Sequence, residues 1–161
     1  MLVLTGESDA QQKVFFDPLA PGDRVLVFGA VHTHTSDRRA APDVIDPEPA
    51  SNYRRWWNSA WNIVEPAGQQ HSGPWTPEAA KRLREIVQHA HANGLWMRFY
   101  TLDGASQEER SANGWFRSYS FPNLAAVRER WRAMAEAGVD YIASDQYGEL
   151  AAMLHARAAS H

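Results

Sequence analysis

The sequence contains no cysteine, has no long apolar run and carries little excess charge. The absence of cysteine excludes disulfides and thiolate-bound metal centres. No apolar stretch approaches the ~20 residues that a membrane-spanning helix requires, so no transmembrane segment is predicted. A net charge of -3 argues against a nucleic-acid partner, because phosphate backbones are bound by clustered excess lysine and arginine.

The N-terminal residues do not resemble a secretion signal, since they lack both a basic segment and a long apolar segment. We therefore predict that the chain as it stands is cytoplasmic, although a complete protein that contained it could be secreted. The 161 residues correspond to one ordinary domain with its own core. Seven tryptophans predict either an aromatic-lined pocket or a large contribution to packing.

A helix–glycine–strand unit occurs twice in the second half of the chain. The first helix, over 76–93, has Thr76 in a suitable N-cap position, ends in glycine and precedes a strand over 95–101. The second helix, over 122–137, also ends in glycine and precedes a strand over 140–144. This alternation is typical of a parallel sheet with crossover helices.

The other predicted elements extend the same pattern. Apolar runs predict strands at 2–6 and 24–29, and a last helix is predicted at about 147–158. Residues 32–75 are rich in proline and tryptophan and are predicted to form a long loop or lid within a single domain over 1–161. The predicted fold class is α/β, either an open parallel sheet or part of a (β/α) barrel, since a full barrel requires about 250 residues.

Alternation along 95–100 separates two faces of a predicted strand. The odd-numbered residues suit packing against helices, and the even-numbered ones, including Arg98 and Tyr100, should face a barrel interior or crevice. A buried arginine requires a partner, and Glu7 and Asp145 are the predicted ones. Two interpretations stay open: Arg98 binds an anionic group such as phosphate, or it belongs to an ion-pair network that closes the barrel top.

A His-x-His pattern, His32 and His34, directly follows a predicted strand. This spacing is similar to the metal-binding start of amidohydrolase-type barrels, so a metal-dependent hydrolase is one alternative function. Two imidazoles alone do not hold a catalytic metal. Surface or loop positions are therefore predicted for both, as they are for His89 and His91 on a helix. No catalytic residue and no metal ligand is assigned from the sequence.

Several segments together resemble the PLC-like phosphodiesterases, the superfamily of phosphatidylinositol-specific phospholipase C and the glycerophosphodiester phosphodiesterases. The clearest are Gly-Leu-Trp-Met-Arg-Phe-Tyr-Thr at 94–101 and Ala-Gly-Val-Asp-Tyr-Ile-Ala-Ser-Asp-Gln-Tyr at 137–147, joined by Arg-Trp at 130–131. Residues 3–7 and 53–58 are similar to segments of bacterial members. The resemblance covers most of the chain.

The resemblance implies a TIM barrel that cleaves a phosphodiester or phosphoinositide-like small molecule by general acid–base chemistry. It also implies a divalent metal, calcium or magnesium, in a complete family member. In this alignment of motifs the chain supplies about strands five to eight, without the strands that usually bear the catalytic histidines and metal ligands. Whether the chain alone is an enzyme or a non-catalytic ligand-binding module therefore stays open.

The residues that the resemblance implies for the substrate-facing half are Glu7, Arg98, Tyr100 and Asp145, with Trp57 and Asn58 in the lid. A parallel half-barrel leaves two open edges and an uncovered inner face. The predicted partner for these surfaces is a missing N-terminal half or a second copy of the chain.

Overall fold

The computed structural model describes residues 3–6, 9–23, 26–46, 48–100 and 102–158. Its strands are β1 (Val3–Thr5), β2 (Val27–Ala30), β3 (Arg54–Ala60), β4 (Trp96–Tyr100), β5 (Asp103–Gly104), β6 (Ser120–Phe121) and β7 (Tyr141–Ile142). Its α-helices are α1 (Asp9–Phe15), α2 (Pro42–Ile45), α3 (Pro77–Ala92), α4 (Gln107–Asn113), α5 (Leu124–Ala137) and α6 (Tyr147–Ala158). Short 3-10 turns lie at Trp61–Ile63, Gln69–His71 and Arg117–Tyr119.

Five strands form one parallel sheet in the order β1-β2-β3-β4-β7. The sheet curls into a half-barrel, and β5 and β6 form a separate short parallel pair. The register places Asn58 opposite Arg98 and Ala60 opposite Tyr100. The predicted α/β class with a partial parallel barrel is therefore confirmed at this level.

The central strand β3 corrects the prediction that residues 32–75 form a loop or lid. Residues 54–60 pair with both β2 and β4. Arg54 lies in this strand and is only 8% exposed. Its guanidinium donates to the carbonyl of Ala30 and to Oδ1 of Asp9, each at 2.5 Å. Because these contacts satisfy the charge, an arginine is compatible with a buried strand.

The helix ends agree closely with the sequence predictions. Oγ1 of Thr76 accepts a hydrogen bond from the backbone N of Ala79 at 3.2 Å, so Thr76 caps α3 as predicted. Gly138 ends α5 with φ of 81°, in the left-handed region that glycine adopts without strain. The strands are shorter than predicted: β4 spans 96–100 and β7 only 141–142.

The core lies between one face of the sheet and the helices α3 and α5. Met97 and Phe99 of β4 are fully buried on this face, as alternation predicts. Trp57, Trp61 and Trp131 are also at most 1% exposed, so three of the tryptophans contribute mainly to packing.

An ion pair inside this core holds the segment after β3 against α5. Arg130 is fully buried, and its Nε and Nη2 donate to the two carboxylate oxygens of Glu65 at 3.0 and 2.7 Å. Nε1 of Trp61 donates to the same carboxylate at 2.6 Å. Nη2 of Arg130 also donates to the carbonyl of Gly73 at 2.8 Å. Arg130, part of the family-like pattern, is therefore a structural residue here.

None of the helices in the described residues is both long and apolar enough to cross a membrane.

Candidate functional site

The candidate site starts from the sheet face opposite α3 and α5. Trp56 and Asn58 of β3 and Trp96, Arg98 and Tyr100 of β4 share this face through the parallel register. Trp56 is buried and the other four are half-buried. The predicted division of β4 into a helix-facing and an inner face is confirmed.

Arg98 is the charged group at the centre of this face. Its Nη1 donates to Oδ1 of Asn58 at 2.7 Å, and its guanidinium lies 5.7 Å from the Trp56 ring centre and 5.6 Å from that of Tyr100. Within the described residues no carboxylate lies at ion-pair distance from Arg98. Burial lowers the pKa of Arg98 from its ordinary value, because desolvation disfavours the charged form.

Of the two predicted carboxylate partners of Arg98, only Asp145 belongs to the described residues. Glu7 lies outside the described residues. Asp145 is exposed and does not pair with Arg98, so this part of the prediction is wrong. The reason is the buried Asp103, whose Oδ1 accepts from the backbone N of Asp145 and from Oγ of Ser144, both at 2.7 Å. These contacts fix the turn after β7 by its backbone and leave the Asp145 side chain exposed.

Trp57 and Asn58 do not lie in a lid, because both belong to β3. Trp57 is 1% exposed and packs edge-on against the ring of His89, with the ring centres 6.0 Å apart. It therefore faces the helices and is remote from the inner face. Asn58 has the opposite orientation and contacts Arg98. Of the six predicted site residues, the structure brings together Asn58, Arg98 and Tyr100.

A cleft of about 380 Å³ opens at the carboxyl ends of β2, β3 and β4. In parallel α/β proteins, ligands bind beyond the carboxyl ends of the strands. We call this cavity the strand-end cleft; its lining residues are Thr33, His34, Thr35, Ser36, Arg38, Asn58, Ser59, Ala60 and Tyr100. Arg98 contacts two of them, Asn58 and Tyr100.

Arg38 is a second basic residue of the strand-end cleft that sequence patterns did not single out. It is half-buried, and within the described ranges it forms no hydrogen bond or ion pair. Arg38 therefore lines the cleft, and Arg98 lies beside it in contact with two lining residues; within the described residues neither guanidinium has a carboxylate partner. A larger groove of about 590 Å³ between α5 and α6 contains Glu136 and Glu149 beside its arginines. Those acids make that groove a poorer anion site than the strand-end cleft.

The two histidines of the His-x-His pattern bind different carboxylates. Nε2 of His34 lies 3.0 Å from Oε1 of Glu48, and Nε2 of His32 lies 3.2 Å from Oδ1 of Asp9. Among the described residues no group of three or more histidine and acidic side chains could hold a metal ion. The described residues thus do not fit a divalent-metal centre. His34 nevertheless lines the cleft, and its only signal in the sequence was this pattern.

Behind His34 lies a buried acid, Asp46, which is 0% exposed. Its Oδ1 accepts from the backbone N of Glu48 at 3.3 Å, and its Oδ2 has no hydrogen-bond partner in the described part of the chain. Burial is the largest of several effects on the pKa of Asp46, which is raised to about 6. Its carbonyl accepts from Nε2 of His89 at 2.7 Å, and His89 is half-buried.

Taken together, the lining of the strand-end cleft contains a cationic side chain, an amide, hydroxyl groups and an imidazole supported by a carboxylate, and Arg98 contacts this lining through Asn58. Such a set can bind an anion and can transfer a proton.

Comparisons of the chain with protein-family models, with curated proteins and with solved structures give no match. The resemblance to the PLC-like phosphodiesterases therefore rests on the residue patterns and stays a prediction.

Proposed function

We propose that the strand-end cleft binds the phosphate of a phosphodiester or phosphoinositide-like small molecule, and that the half-barrel is a segment of a PLC-like phosphodiesterase barrel. The single observation that supports this proposal most is the environment of the Arg98 side chain. It is half-buried on the inner face, and its one hydrogen bond within the described residues goes to a neutral amide.

A half-buried guanidinium without a carboxylate is costly, and an anionic ligand offsets that cost. The planar fork of arginine matches two oxygens of a phosphate, and within the described residues only Nη1 of Arg98 donates a hydrogen bond, to Asn58. The rings of Trp56 and Tyr100 both lie within cation–π distance of the guanidinium. Arg38 lines the same cleft and supplies a second positive charge. Together they favour an anion over a neutral ligand.

The barrel part of the proposal rests on the topology and on the family-like segments. The five parallel strands with helices on one face support this assignment. In the described part of the chain β1 and β7 each pair on one side only, and the inner face exposes parts of Trp96, Arg98 and Tyr141. A complementary half-barrel, either an N-terminal half or a second copy, would cover both edges and this face.

The experiment is a calorimetric titration of the chain with inorganic phosphate and with glycerophosphocholine at low ionic strength. Arg98→Met should weaken binding about ten-fold or more, because one charge-assisted contact contributes about 1.5–3 kcal/mol. The matched control is Arg84→Met, which removes an exposed arginine from α3 and should leave binding unchanged. Failure of the unaltered chain to bind either ligand, or equal binding by both variants, overturns the proposal.

A further inference from the structure

We infer that His34, held by Glu48, is the general base of the strand-end cleft, so that the chain hydrolyses phosphodiesters with a residue outside the family-like segments. This inference rests on the proposed phosphate site. It adds a reaction to that site and names the residue that moves the proton.

The orientation of His34 is defined by three successive contacts. Nε2 of His34 lies 3.0 Å from Oε1 of Glu48, and the backbone N of His34 donates to the carbonyl of Ile45 at 2.8 Å. The backbone N of Glu48 donates in turn to Oδ1 of Asp46 at 3.3 Å. The imidazole is thus fixed by its own backbone and by a carboxylate that is itself positioned by a buried acid.

The protonation pattern follows from the Glu48 contact. A carboxylate accepts hydrogen bonds, so Nε2 of His34 bears the proton and Nδ1 has the free electron pair. Within the described residues Nδ1 has no hydrogen-bond partner. A histidine whose one nitrogen is held by a carboxylate and whose other nitrogen is free is the arrangement of a general base.

The charged groups around His34 suit this role. Glu48 stabilises the imidazolium that forms, and Asp46 behind it adds negative potential when it is ionised. His89 of α3 contacts the carbonyl of Asp46 and lies behind the cleft wall. On the open side Arg38 lines the cleft with His34. Negative groups therefore support the base from behind, while a cation faces the substrate.

The reaction is attack of a water molecule on the phosphorus of the bound diester. As the water oxygen bonds to phosphorus, one of its protons passes to Nδ1 of His34. The bond from phosphorus to the leaving oxygen breaks on the opposite side of the phosphorus, that oxygen takes a proton from solvent water, and the imidazolium releases its proton to solvent. The products are a phosphomonoester and an alcohol. Arg38 and Arg98 stabilise the negative charge on the phosphoryl oxygens.

His32 offers a matched control two residues away. It is also paired with a carboxylate, Asp9, and has the same side-chain exposure of 39% as His34. It does not line the strand-end cleft. His34→Gln and His32→Gln therefore remove equivalent imidazoles, of which one lies in the cleft.

The test measures release of nitrophenolate from bis(p-nitrophenyl) phosphate by the purified chain and by both variants, with phosphate binding measured in parallel. His34→Gln should lower kcat about 100-fold or more and leave KM and phosphate binding nearly unchanged, whereas His32→Gln should retain full activity. Glu48→Gln, at a positioning residue, should lower kcat and shift the acidic limb of the pH–rate profile. Unfolding curves for each variant establish that it folds.

The outcomes separate this inference from the proposed function. If the chain binds phosphate but releases no nitrophenolate above background, the inference is overturned and the binding site stands. If the chain does not bind phosphate, both are overturned. Equal losses of kcat in His34→Gln and His32→Gln, or no loss in His34→Gln, also overturn it.

Discussion

Replacement of Arg98 by methionine tests whether this arginine serves to bind a ligand or to stabilise the fold. The substitution removes one hydrogen bond to Asn58 and two ring contacts, with Trp56 and Tyr100. A hydrogen bond from a charged group contributes about 1.5–3 kcal/mol, and each exposed cation–π contact about 0.5–1 kcal/mol. The lost contacts therefore sum to about 2.5–5 kcal/mol.

The same substitution also removes a desolvation cost. Taking an ion out of water costs several kcal/mol when burial is complete, and Arg98 is half-buried without a carboxylate in the described residues. Methionine keeps much of the side-chain volume between the two rings. The two contributions nearly cancel, so the free energy of unfolding should change by no more than about 1 kcal/mol.

Urea unfolding followed by tryptophan fluorescence measures this change, and the slope of the transition shows whether the unfolded states are comparable. A loss of more than about 3 kcal/mol in Arg98→Met would refute the reasoning. It would mean that Arg98 has a structural ion-pair role, which was the alternative interpretation of the sequence.

Two further predictions concern the core and the buried acid. Glu65→Ala should lower the free energy of unfolding by about 3–5 kcal/mol, because it leaves the fully buried Arg130 without its bidentate partner. The control Glu129→Ala, which removes a half-exposed carboxylate from the same guanidinium, should lower it by less than about 1 kcal/mol. If urea unfolding gives similar losses for both variants, the structural role assigned to the Arg130–Glu65 pair is contradicted. Burial raises the pKa of Asp46 to about 6. As the pH falls, the Asp46 carboxylate of the folded chain is therefore protonated at a higher pH than that of the unfolded chain. Asp46 therefore opposes folding above about pH 6, by roughly 3 kcal/mol, and this cost disappears towards about pH 4. Asp46→Asn should accordingly be more stabilising at about pH 7 than at about pH 4.5. If the substitution changes the free energy of unfolding equally at both pH values, the account of a buried, ionised carboxyl is contradicted.

Local patterns were sufficient to predict the elements whose signals lie within a few residues. The N-cap of α3, the glycine end of α5, the face division of β4 and the parallel arrangement all follow from short-range rules: capping, alternation and the repeated helix–strand order. The inner-face positions of Arg98 and Tyr100 were predictable for the same reason.

The missed features depend on contacts between distant residues. β3 is a strand because Asp9 and the carbonyl of Ala30 satisfy the charge of Arg54, and neither is its sequence neighbour. The Arg98–Asp145 pair fails because Asp103 fixes the turn before Asp145. The cleft position of His34 likewise depends on how the segment after β2 packs across the ends of β3 and β4. No local period in the sequence encodes these contacts.

The most direct test of the central claim measures the free energy of unfolding with and without inorganic phosphate. At a phosphate concentration of about 100 times the dissociation constant, the unaltered chain and Arg84→Met should each gain about 2.7 kcal/mol. Arg98→Met, tested at the same concentration, should gain distinctly less. An equal gain in all three proteins, or no gain in the unaltered chain, would contradict the assignment of the strand-end cleft as a phosphate site.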